Sequence, residues 1–82
     1  MYKYIREAIE EARESLRVGA SPSYALSSII YLEVRGIDKR YIDKIIDHAW
    51  ELEFNKQVTA SSVLDVIARL EEYIDAQGET SG

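Results

Sequence analysis

Apolar residues recur along this chain with helical spacing in four blocks, and each block is bracketed by its own start and stop signals. In the first, Ile5, Ala8, Ile9, Ala12 and Leu16 form one stripe, opposed by Lys3, Arg6, Glu7, Glu10, Glu14 and Arg17. That is the period of an amphipathic helix, predicted over residues 2–18. Gly19 supplies a left-handed stop. Ser21-Pro22 then offers an N-cap followed by a proline at the first helical position, where a missing N–H costs nothing.

The second helix, predicted over 22–35, is the anomaly. Ala25, Ile29 and Leu32 fall on one face, Leu26, Ile30 and Val34 on a second, and Tyr24 and Tyr31 on a third, interrupted by Ser23, Ser27, Ser28, Glu33 and Arg35. A helix that is apolar nearly all round belongs at the centre of something larger than itself. Gly36 closes it, and Asp38 opens a third helix over 39–54 with Ile37 and Ile42 placed as a hydrophobic staple. Its core stripe is Ile42, Ile45, Ile46, Ala49 and Leu52, with Trp50 and Phe54 off-centre. After Asn55-Lys56-Gln57, Val58 and Val63 form a second staple around the cap Thr59. The fourth helix, predicted over 60–76, buries Val63, Val66, Ile67, Leu70, Tyr73 and Ile74 and leaves Leu64 and Ala68 outside. The expected fold is all-α, a compact four-helix bundle with short loops, forming one domain over 1–78 with a frayed tail at 79–82.

Composition narrows the function classes. At 82 residues the chain supports a single core, and with no cysteine it has neither disulfides nor thiolate chemistry, which suits a reducing cytoplasm. No apolar run approaches the roughly 18 residues needed to cross a bilayer, so no membrane association is expected and a cytoplasmic location is. The net charge of −5 disfavours general attraction to phosphate backbones. It is also unevenly placed: residues 1–41 carry seven basic and six acidic side chains, residues 42–82 three and nine. One Asn, two Gln and one Met make thermally labile residues scarce, a thermophile pattern.

Catalytic signatures are missing from the pattern. His48, the single histidine, lies beside Asp47 on the polar side of the third helix, where it reads as a member of an ion-pair cluster. Asp43, Asp47 and Glu51 form a straight acidic row that does not converge into a cation cage. The pairs Glu10-Glu11 and Glu71-Glu72 diverge around their helices, and Gly19, Gly36 and Gly78 read as helix stops rather than a phosphate loop. No enzymatic activity, cofactor or metal is expected.

Two binding readings remain. The Gly36-Ile37-Asp38 turn loosely matches a helix-turn-helix, and Arg35, Lys39, Arg40 and Lys44 gather around it, which would suit a small nucleic-acid binder. Asp38, Asp43 and Asp47 interleave with these cations and blunt the footprint, so direct nucleic-acid binding is disfavoured. The apolar excess is the stronger signal. Either a wide core absorbs it, or Leu26, Ile30, Tyr31, Val34, Trp50 and Phe54 present a docking patch for a protein partner or a second copy, with Arg35, Lys39 and Arg40 orienting the partner.

In length, in the helical pattern of residues 2–76 and in the Ile/Tyr-rich, cysteine-free composition of YALSSIIYLEVRGIDKRYIDKIIDHAW, the chain resembles the very small all-helical accessory proteins of thermophilic archaea. It is similar in particular to the small helical subunit that binds archaeal B-family DNA polymerases in a holoenzyme. The resemblance implies a non-catalytic subunit that docks on the polymerase, in DNA replication, and tunes its activity or stability.

Overall fold

The computed structural model describes residues 3–32 and 42–76. Four helices follow in chain order: α1 (Lys3–Arg17), α2 (Pro22–Ile30), α3 (Ile42–Phe54) and α4 (Ala60–Ala76). They pack as an all-α four-helix bundle. The first helix ends one residue before its apolar pattern suggested, its predicted first residue Tyr2 lies outside the described residues, and α4 has the predicted bounds. The Gly36 stop, the Asp38 cap, the Ile37 staple, the first residues of the predicted third helix and the tail at 79–82 lie outside the described residues.

Local signals set the helix ends. Gly19 stands at φ 89°, and the N–H groups of Gly19 and Ala20 donate to the carbonyls of Leu16 (3.2 Å) and Ser15 (2.9 Å), a Schellman arrangement that satisfies the orphan carbonyls of α1. Ser21 caps α2 by accepting the Tyr24 N–H at 3.2 Å, with Pro22 in the first turn. At the other end, α2 gives way after Ile30 to 3₁₀ geometry at Tyr31 and Leu32, and residues 33–35 of the predicted helix lie outside the described residues. The end of α3 repeats the Schellman pattern without a glycine. Lys56 takes φ 55°, its N–H donates to the Glu53 carbonyl (3.1 Å) and the Gln57 N–H to the Leu52 carbonyl (2.9 Å).

Sequential neighbours pack together around the bundle, α1 on α2, α2 on α3, α3 on α4 and α4 back on α1, and α2 also touches α4 across the centre. Directions follow from the short connections and from residues that share grooves. The connection from Arg17 to Pro22 is short, so α1 and α2 pack as antiparallel neighbours. Arg6 lies with Asp75 and Arg13 with Glu71, which makes α1 and α4 antiparallel. Lys44 and Ile45 at the start of α3 face Asp65, Arg69 and Glu72 of α4, again antiparallel. The C-terminal ends of α1 and α3 therefore share one end of the bundle with the N-terminal ends of α2 and α4.

Because α2 has three helical neighbours, two of its three apolar faces are covered. Leu26 is 0% exposed and Ile30 8%, beside the buried Ala25, Ile29 and Leu32. This corrects the docking-patch assignment for these two residues: they are core. Each contributes on the order of 1.5–3 kcal/mol by leaving water, which outweighs any use as a free surface. Ile5, Ala8, Ile9 and Ala12 from α1, Ile42, Ile45, Ile46 and Ala49 from α3, and Val63, Val66, Ile67, Leu70 and Ile74 from α4 complete the interior, with Leu16, Leu52, Val58 and Tyr73 packed at its margin. Among the described residues no polar or charged side chain is buried.

Candidate protein-docking face

The apolar excess that the core does not absorb sits mainly on α3. Counting 100° per residue from the middle of its buried stripe, Trp50 and Phe54 lie on one flank, one turn apart. Their rings stack with centroids 5.7 Å apart and planes inclined by 24°. Trp50 is 38% exposed and Phe54 77%, so the pair grows outward from the core margin until its last ring stands almost wholly in water. Phe54 is the last residue of α3, and the Schellman turn at Lys56 folds the chain away beyond it.

Antiparallel packing brings further apolar side chains to this end of the bundle. Val18 follows α1, Tyr24 is in the first turn of α2 and Leu64 near the start of α4, and all three are exposed. Tyr31 is also exposed, but it lies past the opposite end of α2. Helix α2 rises about 13 Å at 1.5 Å per residue, so Tyr31 stands about that far along the bundle from the end that carries Tyr24 and Phe54. The residues assigned to one patch from the sequence are thus divided three ways: Leu26 and Ile30 inside, Trp50 and Phe54 at one end, Tyr31 at the other. Val34, Arg35, Lys39 and Arg40 lie outside the described residues.

Charge on the aromatic flank is one-sided. Asp43, Asp47 and Glu51 follow one another at four-residue steps beside Trp50 and Phe54, and all three are exposed. Among the described residues Asp47 and Glu51 have no ion pair or hydrogen-bonded side-chain partner. Like charges at i, i+4 repel. Some carboxylates elsewhere are matched: Arg13 donates to Glu71 at 2.9 Å, Arg69 to Asp65 at 3.1 Å, and Arg17 grips Glu14 through both Nε (2.9 Å) and Nη2. Glu10, Glu11, Glu53, Glu72 and Asp75, like Asp47 and Glu51, are in no ion pair among the described residues. The Arg17 guanidinium, by hydrogen bond and then by charge, holds the Glu14 carboxyl below the usual glutamate range, and Arg17 is in turn raised.

The surface grooves have a different character. About 770 Å³ opens between α1 and α2, lined by Glu10, Glu11, Arg13, Glu14, Ser15, Arg17, Tyr24 and Ser28. Arg6, Arg13, Glu71 and Asp75 border a smaller one of about 450 Å³ between α1 and α4. Lys44, the one described member of the basic cluster around Gly36, borders a third, of about 480 Å³, together with Asp65, Arg69 and Glu72. Its neighbours are mixed in sign, which is poor company for a phosphate. These grooves hold no serine or lysine beside a histidine base. His48 is half-buried on the far flank of α3. Among the described residues no three histidine or acidic side chains come together as metal ligands, and no helix is long and apolar enough to cross a membrane.

Sequence spacing singled out Trp50, Phe54 and Leu64, but not Val18 or Tyr24 as their company. The usable signal was positional: all five flank the 19–21 and 55–59 connections, and in an antiparallel bundle those two connections share an end. Set against protein-family models, curated proteins and solved structures, the chain matches none.

Proposed function

We propose that this chain is a non-catalytic protein–protein interaction module whose docking face is the end of α3 bearing Trp50 and Phe54. The observation that carries this reading is the stacked, outward-facing pair itself. Large aromatic side chains are the favoured anchors of protein interfaces, and covering the largely exposed Phe54 in a complex contributes on the order of 1.5–3 kcal/mol, with less from the remaining exposed part of Trp50. Neither ring belongs to the buried cluster, and Phe54 in particular stands in water. Val18, Tyr24 and Leu64 extend the apolar surface around the same end.

An accessory or regulatory subunit of a larger cytoplasmic assembly is the role that suits so small a domain. The resemblance in length, helical pattern and composition makes a B-family DNA polymerase holoenzyme its most specific form. A benzophenone side chain placed at Phe54 tests the reading in cells of the source. Discrete cross-linked species heavier than the chain are expected from position 54 and not from a benzophenone at Glu72. Identical patterns from both positions, or none, would refute the docking face. A cross-linked partner other than the polymerase would refute the holoenzyme role alone.

A further inference from the structure

Two rows of side chains run side by side along the outer flank of α3 with the same pitch. Trp50 and Phe54 form one, and Asp47 and Glu51 the other. Each row advances four residues, about 6 Å along the axis. From this juxtaposition we infer that the occupant of the face is a basic amphipathic helix of another protein, an inference that rests on the docking reading above. Its apolar side covers the ring pair, and its lysines or arginines, spaced one turn apart, neutralise the two carboxylates.

Charge complementarity selects this occupant. Asp47 and Glu51 are exposed, one turn apart, of one sign and in no ion pair among the described residues, and Lys44, one turn before Asp47, borders the groove lined by Asp65, Arg69 and Glu72 of α4. A symmetric pairing with a second copy through this face would bring the acidic rows of both copies into one interface. An anionic lipid surface or a nucleic-acid backbone meets the same repulsion. A cationic helix meets attraction from the acidic row, and an arginine reaching across it also finds aromatic faces to stack on.

Trp50 is the single tryptophan, so its emission reports on this face. The probe is a synthetic leucine/lysine amphipathic helix, compared with the same peptide carrying glutamate for lysine. The expected result is a saturable blue shift with the lysine peptide only, weakened by salt. Affinity should fall about tenfold or more in Asp47→Lys/Glu51→Lys and less than about threefold in Glu10→Lys/Glu11→Lys, which changes net charge equally but on α1. Circular dichroism confirms that each variant is folded. Equal weakening in the two double variants would mean diffuse attraction and overturn the inference. So would a blue shift with phosphatidylglycerol vesicles at least as strong as with the peptide, or light scattering that shows a dimer through this face. If Phe54→Ser abolishes peptide binding while Asp47→Lys/Glu51→Lys leaves it intact, the basic partner is refuted and the docking face stands. If the lysine peptide leaves Trp50 unshifted, or Phe54→Ser leaves affinity unchanged, the docking face falls too.

Discussion

Thr59 and Ser62 hold each other across the first turn of α4. The Ser62 N–H donates to Thr59 Oγ1 at 3.1 Å, and the Thr59 N–H donates to Ser62 Oγ at 2.8 Å. This reciprocal box satisfies two backbone donors that the helix cannot pair internally, with serine in the place usually taken by glutamate or glutamine. Thr59→Ala should cost about 1 kcal/mol, a fall in Tm of about 4–8 °C for a domain of this size. Thr59→Ser keeps the accepting oxygen and should lose much less. Thermal melts of the three proteins check both.

The two left-handed helix stops make opposite predictions. Gly19 has open space where a Cβ would stand, so Gly19→Ala should destabilise only through its φ of 89°, by roughly 1 kcal/mol. Lys56 already carries that kind of strain at φ 55°. Lys56→Gly should therefore stabilise the bundle, by about 0.5–1 kcal/mol, and urea midpoints should move in opposite directions for the two variants.

Core and face respond differently to truncation. Leu26→Ala should cost about 2–5 kcal/mol, a large share of the whole stability of such a domain. Ile30→Asp would place an unpaired charge at a position 8% exposed and should unfold the chain. Phe54→Ala, at 77% exposed, should change stability by less than about 1 kcal/mol. Chemical denaturation separates these cases, and a large loss from Phe54→Ala would place that ring in the core.

The Glu14–Arg17 pair sets a small pH dependence. Because the folded-state pKa of Glu14 is held below its ordinary value of 4.5, the pair's contribution is present above that value and is lost as pH falls through the lowered one. A carboxyl-resolved NMR titration should find Glu14 protonating at lower pH than in Arg17→Gln. Both groups are in water, so Tm at neutral pH should scarcely differ between the two proteins.

Helix existence and most helix ends were legible in the chain, for a physical reason. Apolar period, Ser21-Pro22, Gly19 and the Thr59 box act within one or two turns, so each can be read locally. The stop at Lys56 was only partly legible. A loop was marked there by Asn55-Lys56-Gln57, but which residue takes the positive φ depends on where Leu52 and Glu53 offer their carbonyls. The candidate site was legible in its aromatic anchors and not in its outline. Tyr31 satisfies the same spacing argument as Trp50, and only the antiparallel order of the helices, not the spacing, sets the two at opposite ends.

What the chain's own pattern established is the set of four amphipathic helices, an apolar interior and an aromatic surplus. Whether that surplus is core or surface was settled by packing. Burial is a property of what lies across from a side chain, and Leu26 and Ile30 are covered because α1, α3 and α4 all close on α2. Phe54 remains outside, with Trp50 half-covered beneath it, because the pair lies on the flank of α3 at its end, where none of the described helices covers the last ring.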